Sequence, residues 1–228
     1  MKKSCVPTNT KNSNSTTVAD APPNPSTPGI KSILSILDLE RFTRKLFSSN
    51  PKLSIEATLI LISASRGSGN WLTYSEISNE CHIDRNLDTN TPSLNALRSL
   101  EAIETRVTRG ADGRLKGQIR FIVTHADFIP LECDDGSLVL RIFDGLVQLR
   151  KSQRNISTLA ALVLMGVYVR RLRDVPAISR FVYRRSEYKD YTVCNRIVRA
   201  LSDTGLLETI TTDSNKTGTQ VFPIEDHL

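Results

Sequence analysis

The sequence predicts a mainly helical α+β fold with small β-hairpins, laid down twice in tandem after a polar N-terminal tail. Three observations predict it. Apolar residues recur at helical spacing in segment after segment, paired runs of strand-forming residues close each half, and the order of these segments repeats at an offset near 101 residues.

The chain has 228 residues, enough for two modest domains. Residues 1–30 read as tail: Ser, Thr, Asn and Pro make 18 of the 30, too little apolar surface to offset the entropy of ordering, so disorder is expected. From Ile30 an apolar helical stripe runs through Ile33, Ile36, Leu37, Leu39, Phe42 and Leu46 to about Phe47, and Asn50-Pro51 breaks it. A second helix over 54–65 carries Ile55, Leu59 and Ile62 on one face. Thr73-Tyr74-Ser75-Glu76 reads as a capping box opening a short helix that reaches about Cys81. Thr91-Pro92 reads as an N-cap with proline at the first helical position. The helix that follows turns Leu94, Leu97 and Leu100 inward and Ser93, Asn95, Arg98 and Ser99 outward. Residues 103–108 and 118–124 then read as strands around a turn holding Asp112-Gly113.

The second half has the same order. A helix over 138–151 aligns Leu138, Ile142, Leu146 and Leu149, and a long apolar helix spans 156–171. Asp174 caps a short helix beginning Val175-Pro176, and a further helix over 191–202 turns Val193, Ile197 and Leu201 inward. Residues 206–212 and 219–224 read as strands joined by a polar turn. At the 101-residue offset Ile55 falls on Ile156, Ile77 on Ile178, Arg98 on Arg199, Gly117 on Gly218 and Phe121 on Phe222. The expected organisation is therefore a tail over 1–30, one unit over 31–127 and a second over 128–228.

Three helices, the second short and joined by a turn to the third, followed by a two-stranded hairpin, resemble the winged helix-turn-helix. The resemblance covers about residues 50–124 and again about 155–225. Tandem units of this kind are similar to two groupings: the MarR-like transcription regulators, with one such unit per chain, and the plasmid replication initiators, with two. What the resemblance implies is sequence-specific binding of double-stranded DNA, in transcription regulation or in replication or partition of a mobile element. In that fold the third helix enters the major groove and the hairpin lies along the backbone or minor groove. The implied contacts in the first unit are Ser93, Asn95 and Arg98 on the helix and Arg106, Arg109, Arg114 and Lys116 on the hairpin. In the second unit they are Thr192, Asn195, Arg196 and Arg199, with Arg184, Arg185 and Lys189 in the preceding connection placed for phosphates. The long helix before each unit suggests a homo-oligomer, a dimer by expectation.

Charge gives this reading a direction. The net charge of +6 divides evenly along the chain, but within residues 141–199 there are 13 basic residues against four acidic ones, and most of the cations are arginine. A guanidinium forks onto phosphate or guanine as an ammonium does not.

Other classes are poorly supplied. No run approaches the roughly 18–20 apolar residues of a membrane span, and Met1-Lys2-Lys3 is not followed by an apolar stretch, so neither a span nor a secretory leader is expected. Cys5, Cys81, Cys133 and Cys194 stand far apart, which argues for reduced thiols in a cytoplasmic protein and against a disulfide framework or metal site. Cys81-His82 lacks a group to orient the imidazole, Gly67-Ser68-Gly69 lacks the ending of a phosphate loop, and Asp134-Asp135 is expected to cap a helix. No enzyme, cofactor or metal is expected. Trp71 is expected in the core. The alternative function is a protein-interaction scaffold built from the same units, favoured if the arginines scatter instead of gathering on the third-helix side.

Overall fold

The first strand is one that periodicity does not announce. In the computed structural model, whose described residues are 32–67, 69–83, 87–122, 126–153, 156–184, 188–211 and 218–224, a strand β1 (Ser32–Leu34) precedes helix α1 (Ile36–Ser49), where the spacing predicts one helical stripe from Ile30. Ser35 separates them. Its extended backbone ends the strand and its Oγ accepts the Asp38 amide, capping α1. The tail over 1–30 lies outside the described residues.

The first copy continues with α2 (Glu56–Arg66), β2 (Leu72–Thr73), α3 (Tyr74–Glu80), α4 (Pro92–Ser99), β3 (Ile103–Arg109) and β4 (Leu115–Phe121). The second is β5 (Phe128–Pro130), α5 (Asp134–Ser152), α6 (Leu159–Tyr168), α7 (Val175–Tyr183), α8 (Tyr188–Asp203), β6 (Leu207–Ile210) and β7 (Gln220–Pro223). The fold is α+β: helices with small antiparallel sheets, in the orders β1–β5, β2–β4–β3 and β6–β7. No helix among the described residues is long and apolar enough to cross a membrane.

The capping chemistry explains several boundaries. At Thr73 the reciprocal box is complete, the Thr73 Oγ1 accepting from Glu76 N while Glu76 accepts from Thr73 N. Those bonds hold the Glu76 carboxyl below its usual value. Asp174 caps α7 through Ala177 N at 2.7 Å, with Pro176 in its first turn. Thr91 precedes Pro92 as expected, but its hydroxyl turns back to Asp88 instead of capping α4. The residue capping α5 is Cys133, whose Sγ accepts from Gly136 N at 3.3 Å, so Asp134 and Asp135 stand in the first turn rather than at the cap.

The two copies meet through reciprocal contacts. The Ile55 amide donates to Ile156 O at 2.9 Å and the Thr158 amide to Leu53 O at 2.7 Å, on either side of the bridge Ser54↔Ser157. Thr58 and Thr158 share a buried hydroxyl bond of 3.1 Å beside them. The strands that open each copy also pair antiparallel, with Ile33 opposite Ile129. The reciprocal pair of hydrogen bonds around Ser54 and Ser157 is that of an antiparallel bridge. Helices α2 and α6, buried along 56–65 and 159–167, lie beside this seam, and one hydrophobic core runs through both copies.

The repeat offset is not constant. It is 103 at Ser54 and Ser157, 101 at the caps Thr73 and Asp174, 102 at their bridge partners Gln118 and Gln220, and 104 at the left-handed residues Glu101 and Gly205. Length differences fall in the elements as well as the connections: α4 has 8 residues against 16 in α8, and β3 and β4 have 7 each against 4 in β6 and β7. Arg98 therefore corresponds to Ser202 and Asn95 to Arg199; the match of Arg98 with Arg199 slips by one helical turn.

Candidate nucleic-acid interface

The last helix of each copy, α4 and α8, begins the candidate surface. In α4, Leu94 and Leu97 are fully buried against α2, and Asn95, Arg98 and Ser99 are exposed. Ser93 is 1% exposed and does not face outward. It precedes Leu97 by one helical turn and so shares its inward face. Arg98 is exposed yet engaged: its guanidinium donates to Thr89 O at 2.7 Å and to Asn95 Oδ1. In α8, Cys194, Val198 and Leu201 are buried, while Thr192, Arg196 and Arg199 are exposed at intervals of three and four. Asn195 is half-buried, its Oδ1 enclosed without a hydrogen-bond partner. Val193, expected inward, is 37% exposed.

The connections contribute unequally. Arg184 ends α7 in the left-handed region, φ 55°, and is exposed. Arg185 lies outside the described residues. Lys189 falls on the first turn of α8, and its side chain lies outside them too.

The β3–β4 hairpin extends well beyond the core. Its base buries Ile103, Ile119 and Phe121; its outer part exposes Arg109, Arg114 and Lys116. Lys116 reaches Asp112 at 3.7 Å. Tyr74, at the start of α3, lays its ring over Gly117, where any Cβ would overlap it, and this close approach fixes the hairpin to α3. Trp71 is half-buried, not in the core as expected. It directly precedes β2, which pairs with β4, so its ring faces the hairpin cations: Arg106 lies 4.0 Å and Arg120 4.8 Å from its centroid. Arg106 also donates to Gln118 at 2.8 Å, which leaves it positioned on two sides.

Part of the arginine excess serves the fold itself. Arg150 is buried against Glu56, Arg170 reaches Glu40 at 3.0 Å, and Arg173 lies over the Phe222 ring. The exposed remainder in this region includes Arg180, Arg184, Arg196 and Arg199. Between α1 and α7 lies a groove of about 980 Å³, lined by Leu37, Arg41, Lys45, Tyr183, Arg184 and Val193 among others. Leu37 is 64% exposed there. The signal for it in the sequence is the spacing of Leu37, Arg41 and Lys45, four apart on one face of α1.

Cys81 and Cys194 are both fully buried, as small apolar groups are. Burial raises both thiols, that of Cys194 up to about 11, so neither is a ready nucleophile at neutral pH. Among the described residues no group of three His, Cys, Asp or Glu side chains is placed to hold a metal ion.

Comparison of the chain with protein-family models, with curated proteins and with solved structures finds no match.

Proposed function

We propose that the chain binds double-stranded DNA sequence-specifically through two winged helix-turn-helix units, acting in transcription regulation or in replication or partition of a mobile element. The observation that carries this reading is the pair of third helices. α4 and α8 each pack an apolar face inward, expose a polar and cationic face, and run on into an antiparallel hairpin. A guanidinium on such a face reads guanine bidentately, and an amide reads adenine, each for about 1–3 kcal/mol of discrimination.

The reciprocal seam sharpens the expected target. If α4 and α8 follow the antiparallel relation of the strands and bridge between the halves, they meet a duplex in opposite orientations, and one chain would read two half-sites arranged as an imperfect inverted repeat. Regulators with one unit per chain obtain this arrangement by dimerising; here a single chain supplies both heads.

Selection of bound fragments from random duplex DNA, followed by titration across a salt series, tests the reading. A recurring motif is expected, with affinity falling steeply with salt as condensed counterions are released. Failure to bind any duplex at low salt, or a flat salt dependence, overturns it.

The α1–α7 groove favours a second reading, as a protein-interaction site. Exposed Leu37 and Val193 beside Arg41, Lys45 and Arg184 suit an acidic segment with an apolar anchor. An acidic peptide library panned on the full chain tests this; loss of the captured peptides with Leu37→Asp supports it, and unchanged capture removes it.

A further inference from the structure

We propose that the tip of the β3–β4 hairpin is a wedge that enters the DNA minor groove and kinks the duplex, with Leu115 as the inserting side chain; this rests on the DNA-binding reading above. The hairpin's register places Ile103, Thr105, Val107 and Arg109 of β3 on one face with Leu115, Gly117, Ile119 and Phe121 of β4. At the base that face is core. Ile103, Ile119 and Phe121 are at most 2% exposed. At the tip the same face has left the protein: Val107 is 52% and Leu115 is 69% exposed. Two large apolar side chains left in solvent at the tip of this face, beside Arg109, present surface to something outside the chain.

The charges beside it say what that is. Arg109 stands directly across the ladder from Leu115, and Arg114 and Lys116 are its chain neighbours. Arg109 shares the leucine's face and Arg114 and Lys116 flank it along the chain, with Asp112 the acidic group of the turn, bonded to Arg114 N and near Lys116. A second copy of this chain would bring the same three cations against these, at a cost in like-charge repulsion. The phosphates lining a groove neutralise them, which leaves the leucine free to meet the base edges. An apolar side chain inserted between base steps, flanked by arginine or lysine on the backbone, is how minor-groove binders unstack and bend a duplex.

The tip is also held ready. The turn is closed by Gly110 N to Arg114 O at 2.8 Å and Gly113 N to Gly110 O at 2.9 Å, with Gly113 at φ 73° where a side chain would be strained. Seven cross-strand residue pairs and the Tyr74 ring on Gly117 fix its direction relative to α3. A wedge ordered before binding avoids the entropy of ordering it on the DNA.

The test uses the full chain and a duplex recovered by the random selection described above, labelled at its two ends for energy transfer. The wild-type complex is expected to be bent by about 20–90°. Leu115→Ala, exposed and so without consequence for the fold, should remove more than half of that bend while a complex still forms, and Val107→Ala should remove less. Arg109→Ala should instead lower the salt slope by about one. Recovery of no duplex overturns the DNA-binding reading and the wedge together. A bound but straight duplex overturns the wedge alone, as does a bend that Leu115→Ala leaves unchanged, or a Leu115→Ala effect on self-association in place of the bend.

Discussion

Glu56 on α2 and Arg150 on α5 form a 2.8 Å ion pair across the seam between the two copies, with side chains only 5% and 7% exposed. Both charges are out of water, and each offsets part of the other's lost hydration. Arg150→Met should therefore destabilise by about 3–5 kcal/mol, because it removes the opposite charge from a buried carboxylate. Adding Glu56→Leu should recover most of that loss, since an apolar pair has no desolvation to offset. Urea unfolding of the two single variants and the double variant measures the coupling; additive losses would mean the pair does not act as a unit.

Glu101 and Gly205 occupy corresponding turns after α4 and α8, at φ 54° and 73°. In each turn the following amide bonds back to the helix, Ala102 N to Leu97 O and Leu206 N to Leu201 O. A side chain in the left-handed region costs about 1–2 kcal/mol, which Gly205 avoids and Glu101 does not. Glu101→Gly should then stabilise by about 0.5–1 kcal/mol after glycine's greater chain entropy is counted, and Gly205→Ala should destabilise by about 1 kcal/mol. Thermal unfolding of both variants checks the opposite signs.

These two turns also show what the sequence conceals. Helix stripes, the Thr73 box, the Asp174 cap and the β3–β4 hairpin are legible because each is decided within a few residues. β1 and β5 are not: three residues carry no visible period, and their stability comes from pairing with each other across nearly a hundred residues of chain. The drifting offset has the same origin, since a rigid register cannot follow insertions in turns. In the candidate site, the exposure of Arg196 and Arg199 follows from helical spacing alone. Ser93 is legible too if measured from Leu97 and not from Leu94. Trp71 is not, because its neighbours Arg106 and Arg120 arrive only through the β2–β4 pairing.

Glu40 links α1 to the end of α6, bonding Arg44 at 2.8 Å and Arg170 at 3.0 Å. Burial by itself would raise its carboxyl, but the hydrogen bonds from Arg44 and Arg170 and their charges hold it below the usual value. A carboxylate with a depressed folded-state pKa contributes stability that is present above its unfolded value, about 4.3, and is lost as pH falls through the folded value. Glu40→Gln should accordingly flatten the acid limb of the stability profile below about pH 5, and leave the profile between pH 6 and about 8 parallel to that of the wild type. Urea midpoints across the acid range measure this; an unchanged acid limb would show that Glu40 gains nothing from its two arginines.

Arg44 illustrates why exposure, not charge alone, ranks the cations for DNA binding. Its guanidinium is half-buried, bonded to Glu40 and to the carbonyls of Phe181 and Val182, and stacked 4.2 Å from the Phe181 ring. Arg44→Ala should lose stability with little specific effect on DNA. Arg196 and Arg199 are exposed on α8, where a guanidinium can meet phosphate or base. Each alanine variant there should weaken binding to the selected duplex by about 1–3 kcal/mol, roughly 5- to 150-fold, if it reads a base. If it contacts phosphate, it should instead reduce the salt slope by about one while affecting all sequences alike. Arg98 is exposed but already bonded to Thr89 O and Asn95, so Arg98→Ala should cost less than either. Lys151, exposed in the last turn of α5, serves as the control expected to change nothing. Equal losses at Arg98, Lys151, Arg196 and Arg199 would remove α8 from the interface and leave only diffuse electrostatic attraction.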